Sequence, residues 1–185
     1  MILSILIATI PERKNALNIL IHKLNSQIAN RKDIEIIVLM DNCIVSIGTK
    51  RNRLKDMASG TYFCFLDDDD DIAPTYIHDL TERCDNVYDV IYFDTWATCD
   101  GQEGVISIDI ENENEQFNPD GKTKRKPSHV NAWLTKKFRK FKFSDKNYGE
   151  DFDFCNQCYP LIENPYKINK ILHYYIFDKQ ITKAI

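Results

Sequence analysis

The chain has 185 residues, 43% of them hydrophobic and 28% charged, which is ordinary for one soluble globular domain with a real core. The apolar start, MILSILIATI, falls far short of the roughly 20 residues a membrane span needs, and it lacks a charged n-region. Neither a span nor a signal peptide is expected. The expected compartment is the cytoplasm, with the inner membrane face as a peripheral option, and the six cysteines are expected as reduced thiols. The formal net charge of −4 is unevenly spread. Residues 122–142 hold nine Lys/Arg and no acid, leaving 15 basic against 28 acidic residues elsewhere, a balance of −13. That segment suits either an anionic partner or a solvated basic surface.

In chain order, ILSILIA (2–8) reads as a buried strand. After Pro11, the spacing of Leu17, Leu20, Ile21, Leu24 and Ile28 predicts a helix. IEIIVLM (34–40) predicts a second buried strand ending at Asp41-Asn42, followed by a helix over about 48–58. TYFCFL (61–66) predicts a third strand that runs into five aspartates, and Pro74 opens another helix. YDVIYFD (88–94) predicts a fourth strand. The strands are near-continuously apolar, which argues for a mostly parallel sheet with helices on both faces, an α/β single domain. Ligands of such sheets sit at the carboxyl ends of strands, where Thr9–Arg13, Asp41-Asn42 and Asp67–Asp71 all fall.

Beyond residue 97 the pattern loosens. GVISIDI (104–110) alternates like a half-exposed strand, 111–127 reads as a long polar loop, and HVNAWL (129–134) as a strand. Arg139–Phe143 alternates charge and Phe like a strand with one buried side. Cys155 and Cys158 in CNQC read as neighbours on a helix rather than a metal or redox pair. No internal repeat and no second domain is apparent.

The run Asp67–Asp71 is the strongest chemical signal. Mg²⁺ or Mn²⁺ takes oxygen ligands, typically one or two carboxylates with water and substrate phosphates. If the chain stays extended, Asp67, Asp69 and Asp71 share one side. The competing reading is a solvated turn before a helix, where Asp also suits the helix N-terminus.

LSILIATIPER, IEIIVLMDN, GTKRNRLKDMASGTYFCFLDDDDDIAPTYI and YGEDFDF together resemble, in order and spacing, the blocks of family 2 glycosyltransferases of GT-A fold. The resemblance covers about 1–95 and resumes at about 128–160. It implies a nucleotide-sugar-binding half, 1–95, and an acceptor-binding and catalytic-base half, 96–185, of one domain. It implies a nucleotide-sugar donor, most often a UDP-sugar, a divalent metal, and a glycan, lipid-linked or other hydroxyl acceptor. Thr9, Pro11, Glu12, Arg13, Asp41, Asn42, Arg51, Asp67 and Asp68 would then bind the donor. Asp69, with Asp67 and Asp71, would hold the metal. Asp69 belongs to either Asp-x-Asp register, 67–69 or 69–71.

YGEDFDF matches the family's Glu-Asp motif, which implies Asp151 as general base of an inverting hexosyl transfer, with Glu150 orienting substrate or loop. Read alone, Glu150, Asp151 and Asp153 equally suit the start of a helix. His129 and Trp133, inside the basic segment, are expected to contact the acceptor. Many members carry a C-terminal His that completes the metal site; here His173 falls several residues before that place, where a lone His in an apolar strand also suits a structural role, and Asp178 lies nearer it. Two other readings stay open. A nucleotidyltransferase would share the architecture, although ATIPERK lacks a phosphate loop's glycines, and a non-catalytic nucleotide-sugar or cation-binding module would share the blocks.

Overall fold

The computed structural model describes residues 1–119 and 121–177. All seven residues of strand β1 (Leu3–Thr9) are buried, so this strand is covered on both faces. A 3₁₀ turn at Pro11–Arg13 leads into α1 (Lys14–Ile28), which buries Leu17, Leu20, Leu24 and Ile28. β2 (Ile34–Met40) follows. Ser46 then caps α2 (Ile47–Met57) by accepting from Thr49 N at 3.0 Å, meeting an otherwise orphan donor. β3 (Tyr62–Phe65) is wholly buried; β4 (Asp71–Ile72) and α3 (Tyr76–Thr81) come next.

β5 (Val90–Cys99) runs five residues past the expected 94 and turns at Asp100-Gly101 into β6 (Gln102–Ile108). Both turn residues have positive φ, 49° and 79°, as a two-residue hairpin matched to strand twist requires. In β6 the alternation expected at 104–110 holds from Gly104, with Gly104, Ile106 and Ile108 buried. Within the loop read at 111–127 lies β7 (Thr123–Arg125). β8 keeps only Ala132–Leu134 of the expected strand, because Ser128–Asn131 close a turn (Asn131 N to Ser128 O, 3.1 Å). The strand expected at Arg139–Phe143 is absent. There α4 (Thr135–Phe138) is followed by a turn whose Arg139 and Phe141 carbonyls accept from the buried Lys55 ammonium. α5 (Glu150–Cys158) carries both CNQC cysteines, which are buried, and none of the six cysteines is in a disulfide. β9 (Pro165–Phe177) ends the described chain.

The nine strands form one sheet in the order β2-β1-β3-β8-β5-β6-β7, with β9 along the other edge of β5 and β4 on β9. β1, β2, β3, β5 and β9 run one way; β8 is inserted antiparallel between β3 and β5. The central sheet is therefore mostly parallel. The order β2-β1-β3 reverses direction after β2, so right-handed crossovers put α1 and α2 on opposite faces.

Two contacts aim the second half at the end of β3. Phe154 of α5 stacks on Phe143 (centroids 4.3 Å, planes 9° apart) and packs against Phe63 and Trp133. Gly48 N donates to Lys146 O at 3.2 Å, an approach so close that a Cβ there would overlap the Ser144 carbonyl.

Candidate functional site

Past Leu66 the backbone leaves β3 and turns, with Asp70 N donating to Asp67 O at 3.2 Å. The five aspartates therefore fan out instead of alternating, and the turn separates Asp71 from Asp67 and Asp69. Four of them meet a protein cation, and Asp70 meets a histidine. Asp67 pairs with Arg51 Nη2 at 2.7 Å, and the His129 ring lies 3.7 Å from its other oxygen. Asp68, buried, accepts from Thr9 Oγ1 at 2.6 Å and Arg13 Nη1 at 2.9 Å. Asp69 shares that same guanidinium nitrogen at 3.1 Å. Asp70, also buried, meets His173 Nε2 at 2.9 Å and Ile176 N at 3.1 Å. Asp71 opens β4 and pairs with Lys23 of α1 at 2.6 Å.

Ionisation follows burial and the supply of cations. Burial pushes Asp69 up to about 7, and Asp70, Asp67 and Asp68 add to this against the pull of Arg13. Burial also raises Asp68 and Asp70 despite Arg13 and His173. Asp67 goes the other way: burial opposes ionisation, but Arg51 and His129 together hold it well below the usual carboxylate range.

The second acidic stretch arrives at the same place. Gly149 precedes α5 at φ 74°, a left-handed turn that favours glycine. Glu150 is buried and ion-paired with Arg51; burial nonetheless raises its pKa. Asp151 Oδ2 lies 3.3 Å from His129 Nδ1. Burial would raise Asp151, but His129 and Arg51 hold it well below the usual range. Burial and Arg51 act to lower His129, and the carboxylates of Asp151 and Asp67 outweigh them, lifting it to about 9. Asp153 points away to Ser144 and Lys146. Arg51 and His129 thus bridge the end of β3 to the start of α5, one through Glu150 and the other through Asp151.

The remaining residues singled out by sequence lie around this centre. Pro11 and Glu12 are exposed in the turn after β1, beside half-buried Arg13. Asp41 accepts from the Ile44 and Val45 amides at 3.1 and 3.0 Å and pairs with Lys50 at 2.5 Å; Asn42 is exposed beyond it. Trp133 is fully buried, its Nε1 donating to Ser128 O at 2.9 Å, so it has no face to offer a sugar. His129 is also buried, and its two nitrogens face carboxylates instead of an open cleft. Asp178 lies outside the described residues.

Sequence reasoning passed over Lys50. It is fully buried and joins Asp41 to the Thr9 carbonyl (3.3 Å), tying the ends of β1 and β2 together. The one available signal was its place beside Arg51 on the same helix. Among the described residues, no three His, Cys, Asp or Glu side chains are grouped as a ready metal cage.

The fold is that of a single-domain, glycosyltransferase-like α/β protein. Among solved structures, the chain is similar to S. aureus TarS 1–349 in complex with UDP (TM-score 0.76, 17% identity, 95% of this chain and 60% of that one). It is also similar to TarS 1–349 in complex with UDP-GlcNAc (TM-score 0.72, 14% identity, 100% and 60%). The longer TarS structure gives a TM-score of 0.69 at 14% identity, over 95% of this chain and 37% of that one. The chain thus spans about 60% of the TarS 1–349 structures it resembles. No protein-family model and no curated protein matches its sequence. No helix among the described residues is long and apolar enough to cross a membrane.

Proposed function

We propose that this chain is an inverting glycosyltransferase that moves a hexosyl group from a UDP-sugar to an acceptor hydroxyl. The observation that carries the reading is the meeting of Asp67–Asp69, at the end of β3, with Glu150-Asp151 at the start of α5, through Arg51 and His129. That the TarS structures of this fold hold UDP and UDP-GlcNAc favours a uridine donor. Thr9–Arg13, Asp41 and Asn42 frame the donor side at the ends of β1 and β2.

Asp151 is the base. It is ionised at neutral pH, partly exposed, and able to take the proton of an acceptor hydroxyl. The acceptor oxygen forms its bond to the anomeric carbon while the bond to the diphosphate breaks. The electron pair leaves with the nucleoside diphosphate, and attack from the opposite face inverts the centre. Glu150, clamped on Arg51, fixes the start of α5.

Mn²⁺ or Mg²⁺ fits the donor chemistry at Asp69. This carboxylate is part-exposed, shares the Arg13 guanidinium with Asp68, and is raised to about 7 first by burial and then by its negative neighbours. Asp69, with Asp67 beside it, would hold the ion, whose chemistry there is to neutralise charge growing on the leaving diphosphate. Asp71, committed to Lys23, stands apart from this pair. The acceptor is a glycan or lipid-linked hydroxyl, met in the cytoplasm or at the inner membrane face. Within the basic segment, Lys137, Arg139 and Lys142 are used internally, on Asp89 and Glu163, the Ala58 carbonyl, and Asp56.

Calorimetric titration of UDP and then GDP, with and without Mn²⁺, tests the donor site on wild type and Asp69→Ala. The expected result is metal-dependent UDP binding that Asp69→Ala abolishes, and UDP-sugar turnover lowered about 10²–10⁴-fold in Asp151→Asn with UDP binding kept. Absence of nucleotide binding under every metal condition would overturn the reading. Binding without turnover by wild type would leave a nucleotide-sugar-binding module.

A further inference from the structure

Resting on the proposed transfer reaction, we infer that His129 is a positioning residue: it clamps the base Asp151 against the donor-side Asp67, so that base and donor are held as one unit. The imidazole is 7% exposed and lies between two carboxylates, with Nδ1 3.3 Å from Asp151 Oδ2 and Nε2 3.7 Å from Asp67 Oδ2. Neither nitrogen has a directed hydrogen bond, so those two carboxylates are the polar groups it answers to. The Phe65 ring lies against it (centroids 6.3 Å), and Arg51 and Glu150 complete the charged surroundings. A buried polar ring of this kind is retained at a cost unless it is paired.

The placement explains why the ring cannot be an acceptor contact and what it does instead. Asp151 is the second residue of α5, and besides His129 its carboxylate is met by the Phe152 amide of its own first turn, which moves with the helix. His129 sits at the turn before β8, a strand hydrogen-bonded into the sheet beside β3, and its own carbonyl accepts from Phe65 N at 3.0 Å. The imidazole therefore refers the base to the rigid sheet that also carries the donor-side aspartates. A carboxylate displaced by about 1 Å from the attacking hydroxyl loses on the order of 10²-fold in rate, so such a clamp acts on turnover more than on donor affinity.

The two nitrogens make the inference separable from a packing role. Asn at 129 keeps a polar group near Nδ1 and so toward Asp151; Gln places its amide near Nε2, toward Asp67; Phe keeps the ring's bulk with neither. Steady-state kinetics of His129→Asn, His129→Gln and His129→Phe, with UDP affinity measured alongside, test it. The expected order of kcat is wild type, then Asn within about 10-fold, then Gln and Phe lower by roughly 10². UDP Kd and donor KM stay within about 3-fold of wild type, and in an Asp151→Asn background His129→Gln has no further effect on kcat. If all three variants keep wild-type kcat, if they fall in order of ring volume alone, or if the losses add to that of Asp151→Asn, the inference is overturned while the glycosyltransferase reading stands. If wild type itself transfers no sugar, that reading fails and the inference with it.

Discussion

The two acidic clusters that meet at the site balance their charge differently. At the end of β3, Asp68 and Asp69 divide one guanidinium, that of Arg13, at 2.9 and 3.1 Å. At the start of α5, Glu150, Asp151 and Asp153 each meet a different cation, Arg51, His129 and Lys146, the first two of which also face Asp67. Asp69 is accordingly raised to about 7, whereas Asp151 stays well below the usual range. Five carboxylates in a row are thus neither simply solvated nor simply metal-bound. What decides their ionisation is how many cations the fold delivers to each and how far each is dried by burial. The first cluster is left short of positive charge at one member, and the second is closer to self-sufficient.

The largest effect is expected from removing the side chain common to both. Arg51 is 6% exposed and touches Asp67 and Glu150 at once, so Arg51→Met strips the counter-charge from the buried Glu150 and the partly exposed Asp67. Breaking a buried pair by removing one partner costs about 3–5 kcal/mol, since the charge left behind has nothing to meet it. Urea unfolding at pH 7 should show a loss of that size. A midpoint equal to wild type would mean that the clusters are not joined through Arg51.

A smaller effect, of opposite sign, sharpens the contrast. The folded-state pKa of Asp69, about 7, lies above that of an unfolded aspartate. Its contribution to stability is therefore full below about pH 4 and is lost as the pH rises through about 7. Asp69→Asn removes that loss. With a chelator present, the variant should gain about 1–2 kcal/mol over wild type at pH 8, a figure discounted for the side chain's partial exposure, and nothing at pH 4. Denaturant titrations at the two pH values check it. If Asp69 is destabilising because it shares one guanidinium with Asp68, Mn²⁺ should raise the wild-type melting temperature and leave that of Asp69→Asn unchanged.

Much of the first cluster was legible in the sequence, and the reason is local. The strands 2–8, 34–40 and 61–66 are continuous apolar runs, so their parallel setting and the location of their polar ends follow from patterning alone, but 34–40, at the edge of the sheet, buries only Ile34 fully where a buried strand was expected. The joining of the two clusters, and the pairing of Asp70 within the first, depend on contacts across the chain. His129 reaches Asp151, Arg51 reaches Glu150 across 99 positions, and His173 reaches Asp70 across 103. No periodicity encodes such pairings. The expected alternation of Asp67, Asp69 and Asp71 gave way to a turn for the same reason. β4 is drawn onto β9, a strand 100 residues away, and the chain must bend to reach it. Trp133 was expected at the acceptor on the strength of its ring, yet packing against Phe138 and Phe154 uses that ring in the core.

The smallest effect tests whether burial, rather than pairing as such, separates the clusters. Lys146 and Asp153 form a short ion pair, 2.6 Å, but their side chains are 44% and 36% exposed. Water screens such a pair, and ordering two side chains costs entropy that the attraction barely offsets. Asp153 also keeps a 2.5 Å hydrogen bond from Ser144 Oγ and a favourable place in the first turn of α5 when the lysine is gone. Lys146→Ala should therefore leave the urea midpoint within replicate scatter of wild type, at low and at high salt. The loss seen in Arg51→Met should persist at high salt, because a dry pair is screened far less. If Lys146→Ala cost as much as Arg51→Met, distance would outweigh burial in setting the worth of these pairs. Asp151 and Asp153 would then be equivalent acids on one helix, and the case for a distinct chemical role of Asp151 would rest on His129 alone.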